Sequence, residues 1–139
     1  MVNHKTQELE TYKKRATKFW EELADLLITR LIPALYEWNI ERDPEVTVVI
    51  IKTAEKLERL IKRYMKLGVP SDFEDLEEKI IKELTKLRAS QALLKRGFSK
   101  NNDKIIEQGF SLMREARNNL KSPLLELYDR IDNLLKKKH

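Results

Sequence analysis

The sequence predicts an all-α fold: an antiparallel up-down-up-down four-helix bundle whose long first and fourth helices kink at Pro33 and Pro123. Three observations carry this. Apolar residues recur at alternating steps of three and four along four long stretches, the pattern of helices that each bury one face. Only 3 Gly and 4 Pro occur in 139 residues, so the chain has few places to turn. The stretches are parted by polar connections of about 3 to 6 residues, short enough to make consecutive helices antiparallel neighbours. The length suits a single helical-bundle domain over residues 1–139.

The first helix is expected from Thr6 to Trp38. Leu9, Tyr12, Ala16, Phe19, Leu23 and Leu26 form its seam. Leu27, Ile28, Leu31, Ile32, Leu35, Tyr36 and Trp38 then widen it past half the circumference. Pro33 removes a backbone donor and presses on the carbonyl of Thr29, so a kink is predicted there.

Asn39-Ile40-Glu41-Arg42 reads as the connection. Asp43 is a good N-cap, Pro44 fits the first helical position, and Glu45 favours the dipole. The second helix is expected from Pro44 to Leu67. Its opening, Val46-Thr47-Val48-Val49-Ile50-Ile51, has strand composition. The helical reading prevails because no second strand exists to pair with it. The seam Val46, Val49, Thr53, Leu57, Leu60, Tyr64, Leu67 also continues unbroken.

At the midpoint, Gly68 reads as a left-handed helix stop and Pro70 as a block to continuation. Ser71 and Glu74 have capping-box spacing. The third helix is expected from Asp72 to Arg96, stopped by Gly97. Its seam is Phe73, Leu76, Ile80, Leu84, Leu87, Gln91 and Leu94, and its first turn is acidic (Asp72, Glu74, Asp75, Glu77, Glu78). Ser99-Lys100-Asn101-Asn102-Asp103 is a polar turn that caps the fourth helix. Ile106, Gly109, Met113, Ala116, Leu120, Leu124, Leu127, Ile131 and Leu134 hold one register through Pro123. That favours one kinked helix over a fresh one capped by Ser122. Gly109 reads as a site of close packing against a bulky side chain such as Trp20.

The composition limits the chemistry. There is no cysteine, which removes disulfides, thiolate metal sites and Cys nucleophiles. The two histidines are His4 and His139, and His139 after the lysine run reads as a tag remnant. A di-metal carboxylate site needs inward Glu residues and Glu-x-x-His pairs, and no such pair occurs. The acids lie off the seams, so no tightly bound metal and no cofactor are expected. Ser71, Ser99 and Ser122 read as caps, and the three glycines are too scattered for a phosphate loop. Thr53, Gln91 and the hydroxyls of Tyr12, Tyr64 and Tyr128 are expected to bond within the core. The chain therefore reads as a non-enzyme.

No apolar run spans a membrane, and Met1-Val2-Asn3-His4-Lys5 lacks a signal-peptide core, so a cytoplasmic location is expected. The charge-rich, cysteine-free, loop-poor composition resembles that of hyperthermophile proteins. The formal charge is +5, and without the three lysines of Lys136-Lys137-Lys138 it is +2. Overall charge thus gives little support to nucleic-acid binding.

Two surface features remain. Lys52, Lys56, Arg59, Arg63 and Lys66 each precede a seam residue and form a basic ridge on the second helix. Ile28, Ile32 and Tyr36 on the first helix, with Ile51, Ala54, Ile61 and Met65 on the second, read as apolar stripes outside the seams. Merged into one patch, they predict contact with another chain. The sequence-level reading is a non-enzymatic protein–protein interaction or scaffolding module, self-associating as a homodimer or receiving a partner helix. The alternative is non-specific nucleic-acid binding through the ridge. The architecture resembles adhesion-type adaptor bundles such as focal-adhesion targeting domains, which receive partner helices in surface grooves. That likeness is one of fold and carries no motif.

Overall fold

The computed structural model describes residues 4–137. Among these residues the chain forms four helices and no strand. Helix α1 comprises His4–Ala24, a π-helical segment Asp25–Leu31, and Ile32–Glu41. Helix α2 is Pro44–Met65. Helix α3 is Glu74–Ser99, entered through the 3-10 turn Ser71–Phe73. Helix α4 is Asp103–Lys136. Met1, Val2 and Asn3, with Lys138 and His139, lie outside the described residues, as do the leader and tag readings placed on them.

Helix α2 begins as its sequence requires. The Asp43 side chain accepts from the Glu45 N–H at 3.0 Å, and Pro44 occupies the first helical position, where its missing donor has no partner to lose. The β-branched run 46–51 is helical. In α1, the Ile32 N–H donates to the Leu27 carbonyl five residues back, so the turn before Pro33 is widened. A proline crowds the preceding turn, and here that turn is a π segment with the helix continuing beyond it.

Helix α1 runs on through Glu41, past the expected end at Trp38. Arg42 closes it in the left-handed conformation (φ 56°), its N–H bonding to the Trp38 carbonyl at 2.8 Å. Its guanidinium stacks over Trp38 and pairs with Asp103, which compensates for a non-glycine in that conformation.

The glycine readings need correction. No glycine among the described residues has positive φ. Helix α2 ends in a tightened turn, with the Lys66 and Leu67 N–H groups bonding three residues back to Arg63 and Tyr64. The Gly68 carbonyl accepts from Arg15 of α1. Ser71 makes no side-chain cap. Helix α3 runs through Gly97, and Asn101 (φ 51°) takes the left-handed position. A Cβ on Gly97 would lie 2.7 Å from Ile106 Cγ1 and 2.9 Å from its backbone nitrogen. Gly109 packs on Leu94, with a Cβ position 3.1 Å from it, rather than on Trp20. Both glycines are therefore places where α3 and α4 close on each other. Helix α4 is unbroken through Pro123.

Cross-helix pairs rise along one helix as they fall along its neighbour. Between α1 and α4 they are Lys13–Asp132, Thr17–Tyr128 and Arg42–Asp103. Between α2 and α3 they are Glu58–Lys95 and Tyr64–Glu77. Between α3 and α4 they are Asp75–Arg130 and Lys86–Glu115. Phe19 stacks on Tyr64 between α1 and α2.

The core draws on every helix, with Leu31, Leu57, Ile80 and Leu127 fully buried. The expected α2 seam is buried at Val46, Thr53, Leu57, Leu60 and Tyr64, and the buried face is wider than that seam. Val49 and Leu67 are 51% and 45% exposed, while Ile50, Ala54, Leu57 and Ile61 are at 0%.

Candidate interaction surfaces

The breadth of the buried α2 face, which takes in Ile50, Ala54 and Ile61 beside the seam, decides the fate of the apolar stripes. Ala54 and Ile61 are core residues, and Ile51 and Met65 are half-buried against the core. The second-helix stripe is thus part of the buried face, and the merged two-helix patch does not exist. The run 46–51 is apolar at nearly every position, so it does not mark which side faces inward.

The first-helix stripe is on the surface. Ile28 is 54% and Tyr36 60% exposed, with Ile32 half-buried between them. Because α1 extends to Glu41, Ile40 joins the series at the same four-residue spacing, 79% exposed. Sequence reasoning placed Ile40 in a connection, although its spacing from Tyr36 was the available signal.

This stripe borders a groove between the second half of α1 and the start of α4. Leu35, Tyr36, Trp38, Ile106, Phe110 and Arg114 line a space of about 430 Å³. Ile32, Met113 and Arg117 continue it past Tyr36 and Phe110 into a recess of about 250 Å³. The close packing of α1 on α4 lies in His4–Ala24, so the far halves stand open. Arg114 lies over the Phe110 ring. Glu37 and Glu41 are exposed beside the stripe and form no ion pair among the described residues.

The basic ridge is exposed at all five positions, Lys52, Lys56, Arg59, Arg63 and Lys66. None of these side chains has an ion-pair partner among the described residues, and Glu55 does not pair with Arg59. Glu58 on the same helix is engaged by Lys95. Four of the five, with Lys62, line a cleft of about 570 Å³ whose other wall holds Glu22 and Leu26 of α1. Lys62 was missed because it falls off the single line that precedes the seam.

The interior holds polar residues that seam reasoning placed outside. Glu77 is 2% exposed, and its Oε1 accepts from the Tyr12 and Tyr64 hydroxyls, both at 2.5 Å. Burial and the Glu77 carboxylate hold both phenols well above the ordinary range, so they remain donors. Glu77 Oε2 and Arg15 Nε lack partners. Both residues line a cavity of about 10 Å³, the volume of one water. Glu83, 7% exposed, accepts from Lys86 and Asn119. The Tyr12–Glu77–Tyr64 network joins α1, α2 and α3 through hydrogen bonds.

The core hydroxyls bond internally: Thr53 to the Val49 carbonyl, and Tyr128 with Thr17. Gln91 donates to Ser90 and leaves its Oε1 without a partner. Among the described residues, no group of three or more His, Asp and Glu is placed to hold a metal ion, and no helix is long and apolar enough to cross a membrane. Comparison with protein-family models, curated proteins and solved structures finds no match for this chain.

Proposed function

We propose that the chain is a non-enzymatic interaction module that self-associates. Its frame is the up-down-up-down bundle, bent at Pro33 and Pro123. The observation that carries the reading is the line Ile28, Ile32, Tyr36, Ile40 on α1, of which Ile32 and Tyr36 line the α1–α4 groove. Each large apolar side chain left in water forgoes about 1.5–3 kcal/mol of burial, and several in a row mark a contact site.

The occupant is the second half of α1 from a second copy. That segment carries Glu37 and Glu41 beside its stripe, and the groove presents Arg114 and Arg117 with one acid, Glu107, near its α4 start. One segment therefore offers both the apolar ridge and the charges that complement the groove it borders. A two-fold contact satisfies both copies at once.

The chain lacks cysteine, so single cysteines report cleanly. Ile28→Cys, Tyr36→Cys and Ile40→Cys are compared under mild oxidation with Val48→Cys, exposed on α2. The expected outcome is disulfide-linked dimers from stripe positions and little from Val48→Cys. Equal linkage everywhere, or none, contradicts the reading.

A further inference from the structure

We propose that the cleft between α2 and α1 is a track for the phosphodiester backbone of a nucleic acid, bound without base recognition. It shares no residue with the α1–α4 groove and does not depend on self-association.

The argument starts from charge. Lys52, Lys56, Arg59, Lys62, Arg63 and Lys66 fall within fifteen residues of one helix, all exposed and none paired among the described residues. At a rise of 1.5 Å per residue the track is about 21 Å long, with a cation on average every ~4 Å. Lys13, Lys86 and Lys95 are answered from a neighbouring helix, by Asp132, Glu115 and Glu58, whereas lysines such as Lys14, Lys79, Lys104 and Lys121 stand singly without an ion-pair partner among the described residues. On the ridge six unpaired cations stand together, and a polyanion bound along them relieves their mutual repulsion.

The shape favours a strand over a bilayer. A membrane-surface helix presents its apolar face to the lipid. The apolar face of α2 (Ile50, Ala54, Leu57, Ile61) is spent on the core. Five of the six cations also form a line, with Lys62 beside it, rather than a broad field. Glu22 lies on the opposite wall, where a flat anionic surface would meet it together with the ridge. The lining holds no aromatic ring and no Asn or Gln, the groups that stack on or read bases. The lining thus favours contact with phosphates over base recognition.

The test is fluorescence anisotropy with labelled duplex DNA and single-stranded RNA of mixed sequence, at salt from about 50 to about 200 mM. With four or five phosphates neutralised, the log–log slope on duplex DNA is expected near −4, roughly a 10²-fold loss of affinity over that range. The pair Lys56→Glu and Arg63→Glu should remove binding. The pair Lys104→Glu and Lys121→Glu makes the same change in net charge on exposed positions of α4, and should leave it within about threefold. Glu22→Gln should strengthen it. All substituted positions save Glu22 are exposed, and circular dichroism checks that each variant stays helical. Absence of wild-type binding, equal loss in both reversed pairs, or salt-insensitive binding overturns the proposal. So does tighter binding to vesicles of about 30% phosphatidylserine in phosphatidylcholine, with the same dependence on Lys56 and Arg63.

Discussion

The Oε1 atom of Glu77 receives hydroxyls from two helices while its own backbone belongs to a third. Removing one donor by Tyr64→Phe should cost about 1.5–3 kcal/mol, the range for a hydrogen bond to a charged group. Urea unfolding measures it, and a change below about 0.5 kcal/mol would show that the contact carries no weight. The phenols also set an alkaline limit. Their folded pKa values are raised, so their stabilisation is full below about pH 10, where unfolded tyrosine titrates, and is lost as pH rises beyond it. Titration followed by phenolate absorbance should show Tyr12 and Tyr64 ionising only as helicity is lost. Their appearance in a helical protein near pH 10 would contradict the buried network. Glu77 was not legible from sequence because a first-turn acid has two sufficient explanations. The helix dipole accounts for it without a buried partner, although position 77 follows Phe73 by four and precedes Ile80 by three, at the edge of the seam.

For whole elements, the α3–α4 contact depends on two glycines. At Gly97 an added methyl meets backbone as well as side chain of Ile106. Gly97→Ala should therefore destabilise by about 1–3 kcal/mol despite the better helix propensity of alanine. Gly68 has nothing within 4 Å and no positive φ, so Gly68→Ala should be neutral or stabilise by about 0.4–1 kcal/mol. Thermal unfolding of the pair reads both signs, and a reversed order would refute the packing assigned here. A glycine at the end of an apolar period signals a stop and a close approach equally, and only the partner helix distinguishes them. The cap at Asp43 and Pro44 was legible because its chemistry is local. The π segment before Pro33 was not, since an extra residue per turn leaves no mark on an already broad apolar face. The width of the buried α2 face was missed for a related reason: steps of three and four fit more than one line through Val46–Ile51, and Ile50 rather than Val49 faces inward.

At the level of the molecule, four apolar periods and few turn residues were enough to read four helices with short connections. The candidate surfaces were legible by halves. Ile28 and Tyr36 stand at the surface with Ile32 half-buried between them, and the ridge is exposed along its whole length. Ala54 and Ile61 do not stand there, which changes how self-association must be probed. An Ile61→Glu variant charges the core and should unfold the chain, whereas Ile28→Glu with Tyr36→Glu alters positions already more than half exposed. Sedimentation equilibrium of the wild type beside that double variant, over a hundredfold range of concentration, tests the central claim most directly. The account predicts a wild-type mass rising to twice 16.5 kDa, and a fully helical variant held at 16.5 kDa throughout. A wild type that stays at 16.5 kDa at the highest concentration, or a variant that dimerises as well as the wild type, would contradict it.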